Sequence, residues 1–224
     1  MFPSLAVLSL VLPLALIAAG VIALVERGNR RRRALLMWRA AQVSASRWYP
    51  VAPDQWLLRV AHHLFPGQPG RLGETCGGQW NGRGMRVFDY NYVVSNGKSQ
   101  STLTGNLVVL TLPVALPQLT VRRESGVLRT LRHHGLELEN QQFNERFRVD
   151  CFDDRYGSAV MHPRMMECVL CNPGLQWHIA GNAFVTWSTG SFVVPDVFAR
   201  LQAMTQLIDL IPPFVLRDYG RPVS

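Results

Sequence analysis

Apolar and polar positions along this chain change their spacing twice, and each spacing predicts a different structure. The first stretch, Phe2 to Val25, is 24 residues long and has no ionisable side chain. As a helix it would rise about 36 Å, against a hydrocarbon core of about 30 Å, so it predicts one N-terminal transmembrane helix. Pro13 removes one backbone hydrogen bond from that helix, which a membrane tolerates. Next come helical spacings. Residues 34–49 continue the helix towards the interface, where Arg39, Arg47, Trp48 and Tyr49 are of the types that settle at headgroup level. Pro50 and Pro53 stop it, and Asp54 to Leu64 restarts with Leu57, Val60, Ala61 and Leu64 on one face.

From Gly70 the spacing becomes two. Residues 71–80, the Asn81-Gly82 turn and residues 85–95 predict a β-hairpin, with Phe88, Tyr90 and Tyr92 on one face. Asn96-Gly97 leads to a strand over 101–112 whose end, Leu107 to Leu112, is apolar on both faces and therefore central. Pro113 and Pro117 bound it, residues 119–121 suggest a further strand, and 127–134 a short helix. Pro163 to Leu170 predicts a helix, with Pro163 at its first position. Residues 175–180 and 183–188, around Gly181-Asn182, read as a final hairpin. The last helix spans about 195–211, with Val197, Leu201, Met204, Ile208 and Ile211 as its buried stripe, and Pro212-Pro213 ends it.

Charge adds an orientation. No Lys or Arg precedes the apolar run, whereas Arg27, Arg30, Arg31, Arg32 and Arg33 follow it. Positive residues beside a span stay on the cytoplasmic side, so a single-pass protein with its N-terminus outside and its domain in the cytoplasm is expected. The same arginines suit anionic lipid headgroups. Residues 1–47 hold seven Arg and one Glu, net +6, and 48–224 hold the remaining 16 basic and 14 acidic residues, net +2, together the +8 of the chain. The folded part therefore lacks the basic excess of a nucleic-acid binder.

Candidate chemistry is thin. Cys168-Val-Leu-Cys171 has the spacing of a redox or metal pair, but it falls at a helix C-terminus, where the dipole opposes a thiolate. A zinc site would need two more ligands, such as Cys151 and His162. Cys76, Cys151, Cys168 and Cys171 do not form a disulfide framework and stay reduced in a cytoplasm. His62-His63 and His133-His134 are neighbours that do not face each other, and interaction with a helix C-terminus accounts for them. Gly73, Gly77, Gly78, Gly82 and Gly84 lack the strand–loop–helix context of a phosphate loop. Asp153-Asp154 fits a turn or cap better than a carboxylate pair. No catalytic, cofactor-binding or metal-ligating residue is assigned.

The run from Glu139 through Phe143-Asn144 and Phe147-Arg148-Val149, with Asp153 and then Val160 to Glu167, resembles a family of uncharacterised bacterial membrane-anchored proteins. Its signature is a Glu-containing strand, Phe-Asn-x-x-Phe-x-Val, an Asp, and a helix start similar to Leu-Thr-Pro-x-Phe-Met-Glu. Here Met161-His162 stands in place of Leu-Thr. The resemblance implies apolar spans before a cytoplasmic α+β domain and supplies no reaction. Physically, Phe143, Phe147 and Val149 read as packing against Met165, Met166, Val169 and Leu170, and Arg164 can pair with Glu167.

The expectation is an α+β chain: a transmembrane anchor at 1–25, a basic juxtamembrane segment at 26–49, one domain with a mainly antiparallel sheet and packed helices at 50–217, and a tail at 218–224. The expected function is a membrane-anchored cytoplasmic interaction or regulatory module with an unknown protein partner and no cofactor. The alternative is a membrane-tethered enzyme with a site around Asp153 and Arg164.

Overall fold

Two strands, each longer than any hydrophobic run in the sequence suggests, set the architecture. The computed structural model describes residues 26–27, 36–52, 54–65, 67–95, 97, 99–124 and 135–223. They fall into two compact units, Met1–Ser46 and Arg47–Ser224. In the first, residues 36–45 are helical, and Ser46 N–H donates to Gln42 O at 3.0 Å.

The second unit runs β1 (Tyr49–Pro50), α1 (Gln55–Leu64), β2 (Gln68–Trp80), β3 (Arg83–Ser95), β4 (Gln100–Arg123), α2 (Gln141–Arg146), β5 (Phe147–Cys151), α3 (Asp154–Val160), α4 (Pro163–Cys171), β6 (Gln176–Thr189), α5 (Val194–Asp209) and α6 (Pro213–Asp218). All strand pairings are antiparallel, in the order β1-β2-β3-β4-β5, with β6 also on β4. The α+β class and the antiparallel sheet stand as expected. The N-terminal membrane span is corrected: no helix among the described residues is long and apolar enough to cross a membrane. Residues 36–45 would rise only about 15 Å and carry Arg39. Residues 2–25, on which that expectation fell, lie outside the described residues, as does the helix expected at 127–134.

β4 joins what the sequence divides. Its residues 100–110 pair with β3 and its residues 119–123 with β5, while β6 pairs along its opposite side from Gly105 to Val121. Pro113 and Pro117 fall between those ladders, where no strand hydrogen bond is demanded of them. The β4–β6 register shifts between Thr111 and Leu116 and again before Leu119. Ala115, inside that irregular stretch, instead exchanges two 2.9 Å backbone hydrogen bonds with Arg221 of the C-terminal tail. The expected hairpin at Gly181-Asn182 is a bend within β6: Gly181 takes φ +59° and the strand continues through it.

These irregularities switch which residues face which side. On one face, Phe88, Tyr90, Tyr92, Leu107, Val109, Val185 and Trp187 pack under Leu57, Val60, Ala61 and Leu64 of α1. The other face lies under α5, with Trp80 Nε1 donating to Thr205 Oγ1 at 3.1 Å and Thr186 Oγ1 meeting Met204 Sδ at 3.5 Å. Where β4 passes under the end of α1, Gly105 leaves room for the Phe65 ring, which already occupies the place of a Cβ. Trp48, expected at headgroup level, is buried, with its ring 5.2 Å from Phe198 of α5. Pro212-Pro213 does end α5, but Pro213 also opens α6.

A Cβ at Gly181 would meet nothing within 4 Å, so its positive φ is the only bar to a side chain. Gly181→Ala is expected to destabilise the protein by about 1–2 kcal/mol through the left-handed backbone alone. Gly174→Ala, in equally open space without a positive φ, should leave stability unchanged or slightly raised. Equilibrium unfolding in denaturant compares them, and equal stabilities would remove the bend's dependence on glycine.

Candidate functional site around His63 and His178

Beyond the bends, the α1 face of the sheet stops being apolar. The parity switch brings Gln118 and Thr120 of β4, and His178 and Ala180 of β6, to the side where α1 lies. Along α1, Trp56, Arg59, Val60 and His63 recur at helical spacing and form the facing wall. The C-terminal tail closes one end with Pro222 and Val223. Together they bound a cavity of about 540 Å³.

His178 sits at its base, 2% exposed, with Nδ1 2.8 Å from Thr120 Oγ1. The His63 ring lies above it, 5.3 Å between centroids and tilted by 42°. Burial, then His63 and Arg122, push the His178 pKa down to about 4, with a backbone hydrogen bond to Leu119 acting the other way. Burial and Arg122 also lower His63, while Asp150 raises it. Both imidazoles are therefore neutral at pH 7. Asp150 is itself engaged by Arg148 Nε at 2.7 Å, and Arg122 Nε is buried with no hydrogen-bond partner.

Of the residues singled out in the sequence, His63 lies in this site, His133-His134 fall outside the described residues, and the others lie elsewhere. Asp153 caps α3, its Oδ1 accepting from the backbone of Arg155 at 2.8 Å and Tyr156 at 3.3 Å. Arg164 is exposed on α4 beside a cleft lined by Pro212, Pro213 and Phe214, which does not include Asp153. His162 precedes α4 without a side-chain cap, and its Nε2 lies 2.9 Å from Leu210 O. Cys168 is half-buried with its thiol pushed up by burial and by Cys171, which is exposed. No group of three or more His, Cys, Asp or Glu suited to a metal occurs among the described residues. The Phe-Asn signature is structural: Phe143 stacks on Phe147 at 5.3 Å, and Asn144 Nδ2 donates to Leu138 O at 2.6 Å.

Of the pocket's residues, only His63 was weighed as chemistry in the sequence, as half of an adjacent pair, while Val60 was assigned to the buried stripe of α1 and Gly181-Asn182 to a turn. His178 sits in an apolar run that reads as core. The one available signal was the polar stripe Arg59–His63 beside the apolar stripe of α1.

The low pKa of His178 predicts a pH dependence with a definite sign. An unfolded histidine, near 6.5, binds a proton that the folded one refuses down to about 4. Stability is therefore complete above about pH 6.5 and falls as pH drops towards 4, by about 2–3 kcal/mol at pH 4.5. Denaturant unfolding of the parent and of His178→Asn across this range tests it. The variant should lose most of the slope, and an unchanged slope would assign it to other groups.

No protein-family profile matches this chain, and no curated protein does. Among solved structures it is similar to the crystal structure of the mycobacterial trehalose monomycolate transport factor A, TtfA. The TM-score is 0.56 at 13% identity, over 83% of this chain and 96% of that one. At that identity the likeness shows the fold alone.

Proposed function

We propose that this chain is a membrane-associated accessory module that works by binding a partner, with its α+β domain on the cytoplasmic side. The observation that carries the binding reading is the state of His178. An efficient general base has a pKa near the working pH, and His178 is held near 4 with one nitrogen against Thr120. The group at the base of this cavity is thus fixed and neutral, which suits a recognition surface. The tethered-enzyme reading loses its residues, because Asp153 is committed to capping α3 and Arg164 stands on a different helix.

Membrane association is supported by the apolar residues 2–25 and by Arg27, Arg30, Arg31, Arg32 and Arg33 after them, which also favour the cytoplasmic side and anionic headgroups. The structural neighbour is named as a transport factor for trehalose monomycolate, and an accessory role in transport is consistent with that name. Membership of the membrane-anchored family that residues 137–167 resemble belongs to the same proposal.

Cys171 is exposed and Cys76 buried, so Cys171 reports sidedness. The full chain is expected in the membrane fraction, with Cys171 protected from an impermeant thiol reagent in intact cells and labelled after permeabilisation. Recovery in the soluble fraction would remove the membrane reading, and labelling of intact cells would reverse the orientation. Photo-crosslinking from position 59 at the cavity rim should give a reproducible adduct with one membrane protein. Membrane-bound chain that yields none would remove the partner-binding reading.

A further inference from the structure

Beside the cavity under α1, outside its lining, lies a positive charge without a matching negative one. Arg122 lies on β4 two residues beyond Thr120, and its Nε is buried without a hydrogen-bond partner. Its field reaches both imidazoles and lowers the pKa of each. The carboxylate that would neutralise it, Asp150 on the neighbouring strand, is held by Arg148 Nε at 2.7 Å. Arg59 adds a second cation on the α1 wall. Arg59 lines the hollow, Arg122, Arg148 and Asp150 lie outside its lining, and with both histidines neutral these four groups sum to +2. Burying a guanidinium nitrogen without a partner carries a cost, which for the half-buried Arg122 falls on Nε alone.

From this geometry we propose that the cavity formed by α1 and the bent halves of β4 and β6 binds a phosphate-class anion, with Arg59 and the two imidazoles as its recognition groups and Arg122 as a nearby cation. Arginine presents a planar fork of N–H donors suited to phosphate oxygens. The imidazoles add donors, and each gains basicity when an anion arrives beside it. The cavity, at about 540 Å³, exceeds what a bare phosphate fills. Its Trp56, Val60, Ala180 and Val223 lining leaves room for an apolar or neutral portion attached to the phosphate. The anion is either a soluble phosphate or the headgroup of an anionic lipid, and the two share this chemistry. The inference rests on the cavity and its charges and stands independently of which protein, if any, the module binds.

The test uses the full chain, labelled at its histidine rings and followed by NMR. One arm adds inorganic phosphate in the millimolar range to the detergent-solubilised protein. The other reconstitutes it in phosphatidylcholine vesicles with or without phosphatidylglycerol. A saturable shift of the His63 and His178 rings, with their pKa values rising, is expected in at least one arm. A response to free phosphate identifies a soluble ligand class, and a response only to phosphatidylglycerol identifies a headgroup. Arg59→Gln, at the lining arginine, should weaken the response by about tenfold or more, the usual loss for a charged hydrogen-bond donor. Gln118 is exposed at the cavity wall, so Gln118→Glu tests the same point without disturbing the core. Its carboxylate should raise both imidazole pKa values by itself and abolish the phosphate response. No shift in either arm, or shifts of equal size in the Gln118→Glu protein, would overturn the proposal.

Discussion

The ladder between β4 and β6 is the interaction on which the domain depends. β4 exchanges β3 for β5 on one side partway along, so neither β3 nor β5 alone spans the sheet. Only β6 accompanies β4 through both halves and holds them as one surface. Continuity comes at the cost of regularity. The extra residues of β4 around Pro113–Pro117 must be accommodated, and they bend outward far enough for Ala115 to take the tail residue Arg221 as its partner. A bulge strengthens local twist and re-aims the side chains after it. Here that change of aim divides one sheet face into an apolar half under α1 and a polar half that becomes the cavity.

Legibility in the sequence followed how local the deciding physics was. Helix α1 was readable because Leu57, Val60, Ala61 and Leu64 satisfy the helical period and Asp54 caps it, its side chain accepting from Trp56 N at 2.9 Å. The β2–β3 hairpin was readable because Asn81 at φ +49° and Gly82 at φ +75° fit a two-residue turn. Gly181-Asn182 offers the same local signal and means something else. A tight turn and a bulge both want a positive φ, and the choice between them is made by β4, some 60 residues earlier. Proline carries the same ambiguity, since it ends a strand or occupies a gap in its ladder, and only the partner strands decide.

The cavity was hidden for a related reason. Thr120 and His178 are 58 positions apart, and His63 meets His178 from a helix that precedes both strands. No spacing rule links them. By contrast, the family-like stretch at 139–167 was prominent in sequence because its contacts are short-range: Asn140 caps α2, Phe143 stacks on Phe147, Asp153 caps α3 and Pro163 opens α4. A recurrent local pattern marked packing, while the polar site was assembled from residues with no pattern in common.

Trp177 and His178 show how much rests on that register. They are adjacent on β6 and point to opposite faces. Trp177 is fully buried and stacks on Phe184 at 5.0 Å, although its Nε1 has no hydrogen-bond partner, an omission that costs about 1–3 kcal/mol. The stacked, buried area of an indole offsets that loss. His178 has less apolar area to gain and stays satisfied through Thr120. A one-residue slip of β6 would exchange the two, placing an imidazole in the packed layer and an indole in the cavity. The two residues therefore oppose slippage jointly, one by area and the other by a hydrogen bond. The bend at Gly181 allows this register to coexist with Ala183, Val185 and Trp187 facing α1 farther along the same strand.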